Sequence, residues 1–479
     1  MVPYVAVSSI SIDKSETNVN SNGFKSLDVS FSPSNASYQT YTCSSSDESV
    51  LMVDSKGFVA CLSFGKATIT VTSIDNKEIK DSVDLTVVSG GSNDNYKVDT
   101  HVTDKIDMQK VNYTGSLDSL PGKSTNSKLL AIPVEFSDYP FASDIKDDIN
   151  TLCNGNNEDG TTGYWESISS YYSKSSYGKL DFSVTVGDIY RPINPDTNEQ
   201  YKASDMKNKP YTVVLDFLRD AVSAYKAATG STCQEFDSDS NGFIDSVYLI
   251  YSTPSYAVVS SLNHGIFWAW TFWDYKESPV IDNPIANAFF WASQNFMDEE
   301  GKNVIDAHTF IHETGHLLGA NDYYNYDSSN QAPMGKIDMM DYNIGDHSMW
   351  TKMSFGWVDP IVVTGDARIT IKSSQAQDDV ILLVPDNWNG TPFDEMLTLK
   401  LSTPRGLNEL DSKPKYTESR PLVYTKPGLK LLHVDSRIME TNNWTYVDSN
   451  TYTPSTKNWQ IAAANTDDFS HDGTAEILP

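Results

Sequence analysis

The sequence contains little cysteine and little positive charge, and it lacks a long hydrophobic run. Only four cysteines occur in 479 residues, which excludes a disulfide-rich scaffold. The 35 basic residues stand against 64 acidic ones, and the resulting net charge of −29 argues against a nucleic-acid partner. No apolar stretch reaches the roughly 20 residues that a membrane-spanning helix needs, so we expect no transmembrane segment.

The positions of the cysteines leave their pairing open. Cys43 and Cys61 lie early in the chain, whereas Cys153 and Cys233 lie in its second quarter and near its middle. One disulfide within each pair is possible, and buried free thiols are an equally good interpretation. None of the four is near the histidine motif described below, so we expect no thiolate ligand there.

The length of the chain predicts two to four domains, because 479 residues exceed one ordinary hydrophobic core. Near the N-terminus, Ala67, Ile69 and Val71 alternate with polar residues, a period that is typical of strands with one buried face. Alternating patterns return after residue 366. We predict an N-terminal β-sandwich at 1–89, a linker or pro-segment remnant at 90–127, a domain at 128–364 that contains the histidine motif described next, and a C-terminal β-sandwich at 365–479.

The most informative stretch is HETGHLLGAND, at residues 312–322. In a helix, His312 and His316 lie one turn apart on the same face and can bind one metal ion. A zinc ion there would lower the pKa of a water molecule, whose proton Glu313 could take. Gly319 can adopt a positive φ and end the helix, after which Asp322 follows as a third ligand.

A bare H-E-x-x-H pattern also occurs by chance on amphipathic helices. In that case His312 and Glu313 would lie on a solvated face, and His316 would be an ordinary hydrogen-bonded histidine. Gly319, Asp322 and the methionine-bearing segment DMMDY further along the chain favour the metal site.

The string HETGHLLGAND, followed by MGKIDMMDYNIGDHSMWTKMSFGWVDP, resembles the immune inhibitor A family of secreted zinc metallopeptidases, the cowrins. The resemblance implies an α/β, metzincin-like peptidase domain that acts on proteins or peptides outside the cell. It implies one catalytic zinc bound by His312, His316 and Asp322, with Glu313 as general base and Met340 in the Met-turn. No signal peptide is visible after Met1, so if the protein is exported, we expect this chain to be its mature part.

Tyr342 lies two places after Met340, where astacins and serralysins carry a tyrosine that swings towards the metal. This resemblance implies that the Tyr342 hydroxyl donates a hydrogen bond to the oxyanion. His347 is a competing donor, and ordinary packing of Tyr342 is an equally good interpretation.

A second motif, DSDSNGFID at residues 237–245, places oxygen donors at alternate positions, as in the first part of an EF-hand loop. The twelfth position is Tyr248 instead of glutamate, and the sequence after the motif is strand-like. We therefore predict a structural calcium loop outside the EF-hand class, with a solvated acidic turn as the alternative. The candidate ligands are Asp237, Asp239, Asn241, the carbonyl group of Phe243, and Asp245.

Near the N-terminus, the segment CSSSDESVLMVDSKGFVACLSFGKATITVTS resembles the bacterial immunoglobulin-like domains of group 2. Cys43 occupies a place where a tryptophan is common in that family. The resemblance implies a spacer, or a module that contacts the cell surface or matrix.

These observations predict a monomeric, secreted or surface-attached zinc endopeptidase with structural calcium. One alternative is a surface adhesion protein whose peptidase-like domain is inactive. Another is a zinc hydrolase that acts on non-peptide amides, which the same ligands would allow.

Overall fold

We describe the fold from a computed structural model of the chain. The residues it describes are 4–20, 24–53, 57–61, 63–88, 120, 124–155, 163–274, 277–297, 305–320, 322–324, 334–358, 360–363, 371–373, 381–384, 395–413, 421–435, 438–440, 445–446, 459–461 and 476–477. The predicted linker at 90–127 lies largely outside these residues. The chain divides into two compact units, Met1–Val98 with Gly365–Ser373, and Asp99–Thr364 with Ser374–Pro479.

The first unit is built entirely from strands among its described residues. They are β1 Ser9–Ile12, β2 Asn18–Asn20, β3 Phe24–Ser26, β4 Val29–Ser32, β5 Tyr41–Ser45, β6 Leu51–Val53, β7 Phe58–Cys61, β8 Gly65–Ser73 and β9 Lys80–Val88. Three sheets result, with the strand orders β1-β4, β2-β9-β8-β5 and β3-β7-β6. Ala67, Ile69 and Val71 face the core as their alternation predicts, and Ile69 and Val71 are fully buried.

The second unit combines six helices with many short strands in its described part. The helices are α1 Ile145–Asn154, α2 Ile168–Ser175, α3 Val213–Thr229, α4 His308–Leu317, α5 Met339–Tyr342 and α6 Met349–Ser354. The strands before α4 are β10 Ser124–Val134, β11 Gly163–Tyr164, β12 Leu180–Val186, β13 Ile193–Asn194, β14 Glu199–Gln200, β15 Phe243–Ile244, β16 Val247–Tyr251, β17 Trp270–Trp273, β18 Ile285–Ala286, β19 Ala288–Ser293 and β20 Ile305–Asp306. The strands after α6 are β21 Ile361–Val363, β22 Ile381–Leu383, β23 Glu395–Ser402, β24 Gly428–Asp435, β25 Ile438–Glu440, β26 Thr445–Tyr446, β27 Trp459–Ile461 and β28 Glu476–Ile477.

A five-stranded sheet of order β12-β10-β16-β19-β17 supports the candidate site. Its first four strands run parallel, and the edge strand β17 is antiparallel to β19. Strands β16 and β19 are buried along their whole length, as expected for parallel strands covered on both faces. Helix α4 packs against β17 and β19, which brings the H-E-x-x-H segment to this edge of the sheet.

Strands β23 and β24 share a hydrophobic core with helix α4. Met396, Leu432 and Val434 belong to the same buried cluster as Ile311 and Leu317 of α4. The strands after α6 form sheets of order β21-β22-β23-β24-β28 and β26-β25-β27. The predicted four-segment division stays a prediction, although buried residues between 396 and 434 share one core with the described part of 128–364.

None of the four cysteines forms a disulfide in this structure. Burial raises the pKa of the Cys61 thiol to about 11, which makes it unreactive near neutral pH. No helix in the described part of the chain is long and apolar enough to span a membrane.

Candidate metal centre

Helix α4 carries the first two candidate ligands, and its C-terminal turn directs the third towards them. After Leu317 the chain reverses at Gly319, whose φ of 103° is open to glycine but strained for other residues. The backbone N–H of Ala320 then donates to the Gly315 carbonyl oxygen at 2.9 Å, which closes the turn. The sequence prediction for Gly319 assigned it this role.

The structure brings His312, His316 and Asp322 together. Oδ1 of Asp322 lies 2.9 Å from Nε2 of His312 and 3.3 Å from Nε2 of His316, and the two Nε2 atoms are 3.2 Å apart. Ligand atoms that bind one tetrahedral zinc at about 2.0–2.1 Å lie roughly 3.3 Å from each other. The spacing of the three atoms therefore fits a single zinc ion.

Backbone carbonyl groups orient both imidazoles. Nδ1 of His312 lies 2.9 Å from the Met339 carbonyl oxygen, and Nδ1 of His316 lies 2.8 Å from that of Ala320. A carbonyl oxygen only accepts hydrogen bonds, so each Nδ1 carries a proton and donates it. In the neutral rings both Nε2 lone pairs are then directed at the common centre, which is the form that binds a metal.

Without a metal, the charges of this site favour binding of a proton at His316. Burial lowers the pKa of His316, but the Asp322 carboxylate overcomes this effect and raises it to about 9. Burial also works to raise the pKa of Asp322, yet His316 and His312 hold it well below its usual range. A cation can replace this proton, so metal binding near neutral pH would release one.

Glu313 lies beside the three ligands and outside the cluster that they form. It is 4% exposed, and its Oε2 accepts a hydrogen bond of 2.9 Å from the hydroxyl of Thr271 on β17. Burial raises the pKa of Glu313, although the neighbouring imidazoles oppose the shift. A carboxylate whose pKa moves towards neutrality is suited to accept and return a proton.

Met340 lies directly beneath the histidine-bearing helix. Its sulfur packs so closely on Gly315 that a Cβ atom at that position would be 2.5 Å from it. Gly315 lies between His312 and His316 on α4, so this contact places Met340 of α5 against the part of the helix that joins two candidate ligands. This close contact requires a glycine at position 315, and the Met-turn role of Met340 stays a prediction.

Consecutive carbonyl groups of α5 hold the two ligand-bearing segments. The Met339 carbonyl accepts from His312, and the Met340 carbonyl accepts from the backbone N–H of Tyr323, next to Asp322. The side chain of Asp338 caps this short helix by accepting from the Met340 N–H at 2.9 Å. The helix therefore fixes the geometry of the site through its backbone.

Two aromatic residues and a histidine near the site differ in their environments. The side chain of Tyr342 is 38% exposed and lies under the Lys336 ammonium group, 5.2 Å from its ring centroid. The ring of Tyr324 stacks near His312 at 6.5 Å, a contact that sequence reasoning did not identify. His347 is fully buried, so it cannot serve as the substrate-facing donor that was considered from the sequence.

His347 instead lies in an aromatic cage. The rings of Tyr171, Tyr172, Phe355 and Trp357 surround it at centroid distances of 5.6 to 6.1 Å. No described residue forms a hydrogen bond with either ring nitrogen. Burial lowers its pKa to about 3, so the ring is neutral at physiological pH.

His308, one turn before the first ligand, anchors the beginning of α4. Its Nδ1 lies 2.5 Å from Oδ1 of Asp306, and its Nε2 lies 3.1 Å from Oδ2 of Asp411. Its ring stacks on Trp165 at a centroid distance of 4.1 Å. His308 therefore fixes the helix and is not one of the ligands.

The acidic loop forms a second cluster far along the chain from the histidines. Asp237, Asp239 and Asp245 each place a carboxylate oxygen within 4.8 Å of the others. Asp245 is 2% exposed, and no described residue donates a hydrogen bond to its Oδ2. Burial raises its pKa to about 7. The side-chain oxygen of Asn241 accepts a hydrogen bond of 2.8 Å from the Phe243 N–H, and its amide nitrogen donates one of 3.0 Å to Asp239.

Sequence reasoning missed the groups that support the ligands. Thr271 lies 42 residues before Glu313, and the Met339 carbonyl lies 27 residues after His312. No local pattern connects such distant partners. The role of Gly315 could have been predicted from the sequence, because a glycine inside a helix is unfavourable unless a close contact requires it.

Comparison with known proteins identifies a domain family for one part of the chain. Residues 6–83 match the family of bacterial Ig-like domains (group 2). A search of curated proteins finds no match. An EHEC O157:H7 intimin mutant is 20% identical over 24% of this chain and 61% of that chain, with a TM-score of 0.15.

Two further structures show low similarity over a larger share of the chain. Metalloproteinase-II from Bacteroides fragilis is 10% identical over 65% of this chain and 77% of that one, with a TM-score of 0.20. A GH10 xylanase from termite gut that contains a bacterial Ig-like domain is 12% identical, covering 63% and 58%, with a TM-score of 0.12. The chain thus carries an N-terminal bacterial Ig-like domain of group 2, as its sequence predicted.

Proposed function

We propose that the protein is a zinc-dependent endopeptidase. The observation that carries this proposal is the convergence of His312, His316 and Asp322 at distances that fit one zinc ion, with Glu313 beside them. Two imidazoles and one carboxylate are a ligand type that catalytic zinc sites use, and it leaves a coordination position for water or substrate. The resemblance of this motif to the immune inhibitor A family, with its metzincin-like fold, supports the same proposal.

The protein's own groups provide the proton transfers. Zinc, when bound, would polarise the scissile carbonyl and lower the pKa of the attacking water. Glu313 takes the proton from that water and returns it to the leaving amine. Thr271 holds the Glu313 carboxylate in place through its hydroxyl. We propose Tyr342 as the hydrogen-bond donor to the oxyanion.

We propose calcium at the acidic loop as a structural ion. Three carboxylates in one tight turn repel each other unless a cation lies among them. The buried Oδ2 of Asp245 supports this proposal, because a buried carboxylate oxygen without a donor is costly. Asn241 and the Phe243 carbonyl are additional candidate ligands, although the Asn241 oxygen already accepts from a backbone N–H.

We propose that the protein works outside the cell or at its surface, as a monomer. Its Ig-like domain acts as a spacer or contacts the cell surface or matrix. A large negative charge keeps an extracellular protein soluble and does not favour binding to nucleic acid.

The test is to incubate the protein with an unfolded polypeptide, with and without a chelator, and to sequence the products. Internal cleavage that stops with chelator and returns with zinc supports the proposal. The matched Ig-like domain favours one alternative, an adhesion protein with an inactive peptidase-like domain. No cleavage by zinc-loaded protein would support that alternative, whereas hydrolysis restricted to small non-peptide amides would indicate a different hydrolase.

A further inference from the structure

Two buried lysines occupy an unexpected place in the C-terminal sheet. Lys400 of β23 and Lys430 of β24 are directly paired across the two strands. They are 3% and 7% exposed, and they continue the buried rows that contain Met396 and Leu432. Like charges directly opposite each other destabilise a sheet, and buried ammonium groups add to the cost. Interactions of the two ammonium groups elsewhere must offset this cost in free energy.

Both lysines reach the segment that contains α5, one on each side of the helix. Nζ of Lys430 donates to the Ile337 carbonyl at 2.8 Å, two residues before the helix. Nζ of Lys400 donates to the His347 carbonyl at 3.3 Å, five residues after it. The buried carboxylate of Asp338, which caps α5, supplies negative charge nearby. Lys430 therefore holds the chain immediately before α5, and Lys400 holds the loop that follows it, just before α6.

Helix α5 is the element whose backbone orients the metal ligands. Its Met339 carbonyl fixes the ring of His312, and its Met340 carbonyl holds the residue after Asp322. A helix of four residues has little stability of its own, so its position depends on outside contacts.

We propose that Lys400 and Lys430 are positioning residues for the metal centre, acting through the backbone of α5 on His312 and Asp322. This inference rests on the proposed zinc site and assigns the C-terminal sheet a role in it. The lysines do not touch the metal. They determine how accurately the ligands converge.

The test compares Lys430→Met, Lys430→Arg and the control Lys413→Met. Methionine keeps the apolar length of the side chain and removes the donor, whereas arginine retains a donor and the charge. Lys413 lies in the same C-terminal stretch, but its ion pair with Glu409 is on the surface, with about half of each side chain exposed. Zinc affinity is measured by competition with a chelator, and the absorption spectrum of the cobalt-substituted protein reports ligand geometry.

We expect Lys430→Met to weaken zinc binding about tenfold and to change the cobalt spectrum, as loss of a supporting contact commonly does. Lys430→Arg should recover most of the affinity, and Lys413→Met should match the wild type. A Lys430→Met protein with wild-type zinc affinity and cobalt spectrum would overturn the inference. A lower melting temperature of the metal-free protein with unchanged zinc affinity would also overturn it, because it indicates a purely structural role.

If Lys430→Met does not fold, the double variant Asp338→Asn with Lys430→Met is used, because it removes both buried charges together. Asp338→Asn alone is measured beside it, because this carboxylate caps α5. Weaker zinc binding in the double variant than in Asp338→Asn supports the inference, and equal affinity contradicts it. Failure of the proposed function is distinguishable. Wild-type protein that binds zinc but cleaves no polypeptide contradicts the peptidase proposal and leaves this inference intact.

Discussion

At the scale of single residues, the role proposed for the Tyr342 hydroxyl can be tested by removing that hydroxyl. Its side chain is 38% exposed, with the Lys336 ammonium group 5.2 Å from its ring centroid, and we propose that its hydroxyl donates to the oxyanion. If it does so, Tyr342→Phe lowers kcat by about 10²-fold or more with little change in KM, as loss of an oxyanion donor typically does. Steady-state kinetics of Tyr342→Phe beside Tyr324→Phe identify the donor. A loss confined to Tyr324→Phe would transfer the role to the ring near His312.

The buried ring of His347 predicts a specific acid sensitivity. Its pKa is lowered to about 3 by burial, whereas an unfolded histidine titrates near pH 6.5. Between these values the unfolded chain binds one more proton than the folded protein, so stability decreases as pH falls from about 6.5 towards 3.

Phenylalanine fits an aromatic cage and cannot bind a proton, so His347→Phe should unfold at lower pH than the wild type. Circular dichroism of both metal-free proteins along a pH series measures the acid midpoint. Replacement of the other buried histidine, His308→Gln, is not a suitable control, because the His308 ring contacts the carboxylates of Asp306 and Asp411. Identical acid midpoints for wild type and His347→Phe would show that this ring does not determine acid stability.

At the scale of elements, the acidic loop between α3 and β16 predicts a response to calcium. A cation that binds only the folded loop raises the melting temperature by mass action. Calcium must also replace the proton that Asp245 holds with its pKa of about 7, so the calcium effect should be larger at pH 8 than at pH 6.

The measurement is a melting series against calcium at fixed ionic strength, with zinc kept saturating. We expect the wild type to respond and Asp239→Asn to lose most of the response. Asp181→Asn, which changes an exposed carboxylate on β12, is the matched control and should respond like the wild type. Equal responses of the wild type and Asp239→Asn would leave the solvated turn as the better account.

Local patterns predicted the elements whose cause is local. The alternation of Ala67, Ile69 and Val71 predicted a strand, which is β8, and Gly319 at a φ of 103° follows the end of α4 as predicted. The spacing of His312 and His316 likewise predicted their shared helix face. The role of α5 was not predictable from its own four residues, because Lys430 contacts Ile337 across 93 residues of sequence. Contacts of that separation leave no periodic signal.

At the scale of the whole molecule, the Ig-like unit should be dispensable for catalysis. Its core is a separate buried cluster of strands, which contains residues such as Leu51, Ile69 and Leu85. A protein that begins at Asp99 should fold and cleave a small peptide with the kcat/KM of the full chain. Loss of turnover in a folded truncated protein would show that the Ig-like unit contributes to the cleft.

The charge of the molecule could be predicted from composition, whereas the arrangement of its segments could not. Alternation in β8 and β9 correctly predicted a β-sandwich-like unit, because each strand buries one face. The shared core of α4 with β23 and β24 was not predicted, because Met396 and Leu432 look like residues of any sandwich. Which face of a strand meets which helix depends on tertiary packing.

The central claim is that Glu313 transfers protons at a zinc ion that His312, His316 and Asp322 bind. The most direct test measures zinc content and peptide turnover together for the wild type, Glu313→Gln and Asp322→Ala. The account predicts that Glu313→Gln keeps one zinc and loses turnover by several orders of magnitude, because glutamine cannot take a proton. Asp322→Ala should lose both zinc and turnover. Wild-type turnover in a zinc-loaded Glu313→Gln protein would contradict the account.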